Sequence, residues 1–448
     1  MKSYREILKL VWPLALGMIN NAVMQFVDRA YLANDSMRAL EAVLPAGMLM
    51  WIFGGFFQSV VGYSSVFVGR YHGAGDAGKC RMTYRVALAL AAAFGVMSLA
   101  LIPVGNAILK ATVVSPELLQ DEVSYFNILM CGSFGVYGQM AAAAYFTGRG
   151  KTRIVFWANL VGNVLNIALD PVLIFGWWGV PRMGIAGAAY ATVFAMVVQM
   201  VVLMAAARRE KGDERREGLE TGDGRREWVK LAGTILRFGV PAGLYTVLNM
   251  LSFTIFVFVT GGVGDLELAV SNACFTVNYL LIAPMEGFAL GASTLVSQAL
   301  GRGDPAAAAG EARRTIALGV GFVAASSALV LVFAHPILEI FASRAGGSSE
   351  AFHSLGFTLF ALMAAWQMFD AADVILSGAL KGGGDTKFVM WLMLVVAFAI
   401  WLPLVFVVRH FRNTMPALWA TMIVYVVIIC VGSVVRWRQG RWKDMKLT

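Results

Sequence analysis

Residues 7–33 read ILKLVWPLALGMINNAVMQFVDRAYLA. The stretch is long and apolar enough to cross about 30 Å of hydrocarbon as a helix. It holds one proline, Pro13, and among its polar residues Asn21, Gln25 and Asp28 stand at i, i+4 and i+7. That spacing puts the three on one face of a helix. A largely apolar span with a polar stripe ending in a carboxylate implies a bundle, in which lipid covers the outside and the stripe faces protein.

The rest of the chain repeats the pattern. Of 448 residues, 59% are hydrophobic and only 14% charged, and the mean hydropathy is +0.70. A soluble domain is nearer half apolar and a quarter charged, and its surface could not hide so much apolar chain. Apolar stretches run over 7–33, 43–69, 86–109, 123–147, 154–176 and 184–207. A second six cover 231–260, 268–300, 314–342, 352–380, 387–408 and 416–436. The longest polar tract, 208–230, reads as a linker between halves. The expected organisation is therefore an N-terminal six-helix lobe over 1–207, a cytoplasmic linker over 208–230, a C-terminal six-helix lobe over 231–436, and a cytoplasmic tail over 437–448. The fold class is all-α integral membrane, with twelve transmembrane helices in two pseudo-symmetric bundles.

Lys and Arg set the orientation. The N-terminus, the 70–85 loop, Arg149, Lys151 and Arg153, the linker, Arg302, Arg313 and Arg314, Lys381 and Lys387, and the tail after Arg436 are basic. The alternate loops 110–122 and 261–267 are neutral or acidic, with Arg409 and Arg412 a minor exception. Both termini are expected in the cytoplasm. No cleavable signal peptide is read at the N-terminus, where the apolar run is too long and too interrupted for one. The net charge of +9 belongs to those loops and not to nucleic acid, for no nucleic-acid motif accompanies it.

The halves are related. A shift of 228 residues places Pro13 on Pro241, Asn21 on Asn249, Gly73 on Gly301, Gly75 on Gly303, Asp76 on Asp304 and Arg85 on Arg313. Further on, Gly148-x-Gly150-x-Thr152 matches Gly382-x-Gly384-x-Thr386 at a shift of 234. Six spans per half is an even number, so both halves enter from the same side as parallel repeats. Pro13 and Pro241 interrupt their helices early and serve either as fixed bends or as hinges.

Chemistry is sought in the intramembrane carboxylates, each costing about 2.5–3.5 kcal/mol to insert. They are Asp28, Asp170, Asp370, Asp373 and Glu286. Asn159, Asn163, Asn166 and Asp170 fall at i, i+4, i+7 and i+11, a second stripe in the same half as the first. Two stripes ending in Asp fit a buried site for a small cation; oxygen ligands suit Na⁺, and a carboxyl withdrawn from water also takes up a proton. The alternative is that these groups only bond helix to helix. The four cysteines lack disulfide or metal spacing, the four histidines (His72, His335, His353 and His410) form no cluster in sequence, and no nucleophile elbow, Walker loop or HExxH occurs. ATP-driven transport and enzymatic activity therefore have no support.

The segments WPLALGMINNAVMQFVDRAYLA (12–33), NIALDP (166–171), GIAGAAYATV (184–193) and DAADVILSGALKGGGDT (370–386) together resemble the multidrug and toxic compound extrusion (MATE) family of cation-coupled antiporters. The resemblance covers nearly the whole chain. It implies that Asp28, Asn166, Asp170 and Thr192 bind the coupling Na⁺ or H⁺, with the same four as metal ligands if the ion is Na⁺. It also implies a coupling role for Asp370, although the helix-7 Glu that accompanies it in some members is missing around Leu248 and Asn249. Asp373 stands where those relatives often have Gln. Asn21, Gln25, Asn163, Asp370, Asp373 and Glu286 are the further polar cleft candidates.

The expected protein is a secondary active multidrug antiporter of the cell inner membrane, monomeric, embedded in lipid and without a cofactor. It would export organic cationic or amphipathic compounds by alternating access. The rival within the same superfamily is a flippase for lipid-linked precursors. That rival needs a cationic cleft, whereas the spans contain almost no Lys or Arg apart from Arg29.

Overall fold

The computed structural model describes residues 1–112, 115–210, 224–345 and 349–445. Among the described residues every regular element is a helix. The first half holds α1 (Tyr4–Asp35), α2 (Met37–Gly62), α3 (Ser64–Gly73), α4 (Ala77–Thr112), α5 (Pro116–Cys131), α6 (Ser133–Gly148), α7 (Thr152–Phe175) and α8 (Ile185–Glu210). The second holds α9 (Gly224–Thr260), α10 (Asp265–Gly301), α11 (Pro305–Val332), α12 (Ala334–Ala345), α13 (Ser349–Gly383), α14 (Thr386–Leu394), α15 (Leu402–Phe411) and α16 (Met415–Gln439).

Among the described residues, 11 helical runs are long and apolar enough to cross a membrane. The twelfth expected span, 123–147, is split at Gly132 into α5 and α6, each of 16 residues. A similar break at Phe333 separates α11 from α12. Between α14 and α15 the chain forms a π-helical stretch, Val395–Trp401. Pro403, at the start of α15, cannot donate to the helical ladder, and the wider turn absorbs that gap. The twelve-span, all-α architecture is thus observed, with bent spans where the sequence reads as straight ones. Of the expected linker, residues 211–223 lie outside the described residues; 208–210 end α8 and 224–230 begin α9. In the expected tail, 446–448 also lie outside them.

The duplication is written in the backbone. Gly75 and Gly303 both take positive φ, 79° and 74°, a region open to Gly because it lacks a Cβ. Asp76 N–H then reaches back to Tyr71 O, and Asp304 N–H to Ala299 O. Each Asp caps the following helix: Asp76 Oδ1 accepts from Lys79 N–H and Asp304 Oδ1 from Ala307 N–H, both at 2.8 Å. At the second turn Gly150 N–H donates to Thr147 O and Gly384 N–H to Lys381 O, which keeps the 234 shift. An ion pair ties the next helix start to the end of the last span in both halves, with reversed polarity. Arg149 and Lys151 meet Glu210, while Asp385 Oδ2 takes Arg436 Nε at 2.6 Å.

The chain condenses into two compact units. Among the described residues, one comprises Leu16–Thr246 with Gly301–Gly303; the other comprises Met1–Ala15, Val247–Leu300 and the chain from Asp304 on. In α1 and in α9 the division falls a few residues past Pro13 and Pro241. Glycine pairs explain which part packs where. Within one unit, a Cβ on Gly287 or Gly291 of α10 would strike Ala15 or Val11 of α1. Within the other, a Cβ on Gly239 or Gly243 of α9 would strike Val60 or Phe56 of α2. Both are small-xxx-small seams, which in a membrane allow helices to approach closely enough for dispersion to hold them.

The unit holding the second half has an aromatic interior. Phe256 stacks on Trp401 (centroids 5.3 Å), Trp401 on Tyr425 (4.5 Å), and Trp366 lies 5.1 Å from Trp419. Two of these buried indoles donate within the core: Trp401 Nε1 to Thr421 and Trp419 Nε1 to Ser271, both at 3.1 Å. In the other unit, Leu32, Ala42, Val43, Tyr125, Phe126 and Ile174 share a core around the ends of α1, α2, α5 and α7.

Candidate functional site

The two polar stripes meet. Asn163 Nδ2 donates to Asn21 Oδ1 at 2.7 Å, joining α7 to α1. Gln199 Nε2 of α8 donates to Asn163 Oδ1 at 3.3 Å, and Gln139 Nε2 of α6 donates to Asn159 Oδ1 at 3.2 Å. These amides knit four helices, and at this level the helix-bonding role weighed from sequence accounts for them. The last turn of each stripe is different.

Asn166 uses both amide hydrogens: Nδ2 donates to Thr192 Oγ1 at 3.4 Å and to Asp170 Oδ1 at 3.5 Å. Thr192 in turn donates to Ala188 O at 3.0 Å, so its hydroxyl is fixed as an acceptor toward Asn166. The amide orientation is thereby set, and Asn166 Oδ1 faces away from every donor. Asn166 Oδ1, Asp170 Oδ2 and Asp28 Oδ1 are all buried without a hydrogen-bond partner. Asp170 is fully buried and Asp28 nearly so. The two carboxylates lie within Coulomb range of each other, and Tyr125 of α5 lies within range of both.

Arg29 does not neutralise them by contact, since it is exposed and successive residues on a helix diverge by about 100°. Three buried oxygens without a hydrogen-bond partner, two of them on carboxylates within Coulomb range of each other, make a poor packing element and suit a cation cradle. The residues present therefore fit a small cation or a proton. Pro171, next to Asp170, lies inside α7.

The carboxylates of the second half also converge. Asp370 and Asp373 on α13 and Glu286 on α10 lie within Coulomb range, as does Lys381. Asp373 is buried and accepts from Ser377 Oγ at 3.5 Å. Asp370 is half-buried and Glu286 exposed. Lys381 corrects the expectation that basic residues are nearly absent from the spans. It falls inside α13, one turn beyond Ser377, because the helix runs three residues past the expected end at 380. Gln25 sits half-buried on α1. Pro13 and Pro241 lie inside unbroken α1 and α9.

Sequence reasoning missed Gln199, Gln139 and Tyr125. Gln199 carried a signal: it lies seven residues after Thr192, on the same face of an otherwise apolar span. Tyr125 carried none, because an aromatic in an apolar helix is commonplace. The histidines bring a second correction. His335 and His353, unrelated by spacing, stack face to face with centroids 4.2 Å apart, because the break at Phe333 turns α12 back along α13.

The family model MatE matches residues 13–172 and 241–407, one match in each half. Relatives of similar sequence include a "Probable multidrug resistance protein NorM" from Thermotoga maritima. It is 24% identical over 444 residues, covering 98% of this chain and 93% of the relative. Another is "Multidrug resistance protein PmpM" from Pseudomonas aeruginosa, 27% identical over 410 residues, covering 89% and 82%. Among solved structures, an outward-facing multidrug resistance MATE family transporter of the MOP superfamily superposes with a TM-score of 0.86 at 20% identity. It covers 99% of this chain and 97% of that one. A MOP superfamily transporter from Pyrococcus furiosus gives 0.84 at 19% identity, with the same coverage. The two matched segments, one in each half and together spanning most of the chain, establish that this multi-pass membrane protein belongs to the MatE family of transporters.

Proposed function

We propose that the protein is a secondary active multidrug efflux antiporter of the cell inner membrane. It exports organic cationic or amphipathic compounds in exchange for Na⁺ or H⁺, and both its termini face the cytoplasm. The observation that carries the reading is the trio of unpartnered buried oxygens on Asp28, Asn166 and Asp170. Two buried carboxyls without a hydrogen-bonded counter-ion favour whichever state of the helices admits a cation or a proton. Loading that cation therefore shifts the conformational equilibrium by its differential affinity for the two states.

The names of the relatives support drug export, as does the fit of the site to a coupling ion. Thr192 holds Asn166 in register, and Pro13 and Pro241 are the points where α1 and α9 flex. Asn21, Gln25 and Asn163 extend the polar path from the site. Asp370, Asp373 and Glu286 supply a second charged region, balanced in part by Lys381.

The test is efflux from vesicles holding the purified protein, with Na⁺ and proton gradients imposed separately and a panel of organic cations offered. One of the two gradients is expected to drive efflux against the substrate gradient, and Asp28→Asn and Asp170→Asn are each expected to abolish it. Full coupled transport in both variants sinks the mechanism.

A further inference from the structure

We propose that the α12–α13 elbow carries a transition-metal site of the zinc class, built from His335, Glu339 and His353. His335 and Glu339 stand at i and i+4 on α12 and so share one face. His353 reaches them from the first turns of α13. One ligand atom from each of the three lies within 4.8 Å of the others. The ligand set is two imidazoles and a carboxylate, with nitrogen and oxygen donors that favour zinc over magnesium or calcium.

His353 Nε2 already sits 2.7 Å from Glu339 Oε2, while the two imidazole rings stack 10° from parallel, so the His335 ring must turn for both rings to aim a nitrogen at one metal. His353 is held in place, with its Nδ1 buried and without a hydrogen-bond partner. Metal–ligand bonds of about 2.0–2.2 Å put ligand atoms about 3.4 Å apart, so the His353–Glu339 pair opens slightly while His335 swings inward. His335 and Glu339 are exposed and free to make that swing by rotamer change.

The elbow also leaves room for a fourth ligand. His335 and His353 line an open hollow of about 720 Å³ together with Glu350, Ser354, Phe357 and Thr358. Glu350 precedes His353 by three residues and so lies on the same face of α13. Its carboxylate or a water completes the tetrahedron. The bound metal staples the first turns of α12 to the first turns of α13.

The experiment uses the full chain without a histidine tag, purified in detergent and stripped with chelator. Zinc is titrated by calorimetry and counted after dialysis, and Co²⁺ is added as a spectroscopic probe. The expected result is one zinc per chain and a tetrahedral cobalt absorption band. His335→Gln and Glu339→Gln each weaken zinc binding by more than about tenfold. Both positions are exposed, so these variants fold whether or not His353→Gln does. Asp28→Asn keeps the zinc site intact, which separates this inference from the coupling-ion reading. Absence of stoichiometric zinc, or equal binding in His335→Gln, Glu339→Gln and wild type, overturns it.

Discussion

Asp170→Asn separates a carboxylate kept for its charge from one kept for its packing. The side chain is fully buried, and the substitution conserves volume, so no cavity forms. Asp170 Oδ1, which accepts from Asn166 Nδ2, is retained as the amide oxygen. The new amino group replaces Oδ2, a buried acceptor without a hydrogen-bond partner, and takes one carboxylate out of Coulomb range of Asp28, which is worth about 1 kcal/mol. The folded variant is therefore expected to be slightly more stable than wild type.

Cation binding moves the other way. A monovalent cation about 4 Å from a carboxylate gains on the order of 4 kcal/mol at an effective dielectric constant of 20. Replacing one of two carboxylates by an amide dipole forfeits about 2–3 kcal/mol of that, which weakens binding roughly 30- to 150-fold. The assay pairs thermal denaturation in detergent with calorimetric titration of Na⁺ and with coupled efflux in vesicles. Gained stability with lost coupling is the expected pairing. A variant that unfolds several degrees earlier and still couples transport to the same ion refutes the reasoning, because Asp170 would then be a packing element.

Further outcomes follow from the same contacts. Asn166→Ala removes an unpartnered buried oxygen and the donor to Thr192 and Asp170; ion affinity measured by titration is expected to fall by about 1–2 kcal/mol, about five- to thirtyfold, while Asn166→Asp retains more of it. Asp385→Ala strands Arg436 at a largely buried site and is expected to cost about 3 kcal/mol of stability, read as an early thermal transition. The pair Asp385→Lys with Arg436→Glu copies the polarity of Lys151 and Glu210 and is expected to recover most of that loss. Gly287→Val drives a branched side chain into the backbone of α1 at Ala15; an overpacking penalty of about 1–3 kcal/mol is expected in the thermal transition, with a smaller one for Gly243→Ala.

Most of the fold was legible because hydrocarbon leaves a chain few options. A spanning segment must satisfy its own backbone, so each long apolar run had to be a helix. The turns were legible for a different reason. Gly75 and Gly303 are needed at positive φ, and Asp76 and Asp304 are needed as caps, so the repeat survived in the residue types the backbone dictates. The breaks at Gly132 and Phe333 were not legible, since a bent apolar span and a straight one bury the same residues. The swapped membership of the first parts of α1 and α9 was hidden too. It depends on which helix each glycine seam meets, and nothing along one chain encodes that. The same limit concealed Tyr125 and the meeting of His335 with His353, which are tertiary facts.

The stripes of α1 and α7 were legible as far as the faces they occupy, because i, i+4, i+7 spacing is a property of one helix. What spacing could not reveal was which oxygens stay unpaired. Asn163 and Asn159 have the same residue type and the same stripe as Asn166, yet their oxygens are taken by Gln199 and Gln139. Only Asn166, with both its hydrogens spent on Thr192 and Asp170, presents a bare oxygen. The difference between scaffold and site thus lies in the donors supplied by neighbouring helices. The second half makes the contrast plain. The repeat places Phe256 where α1 has Asp28, and Phe256 is sealed against Trp401, a position with no water and no polar partner. A carboxylate there would bear the full cost of desolvation without the facing Asp, Asn and Thr that make Asp28 useful. Two related scaffolds can therefore carry the same turns, caps and end-to-end ion pairs while only one of them holds this oxygen cradle. The cradle rests on four side chains on three helices, so duplicating the backbone does not duplicate it.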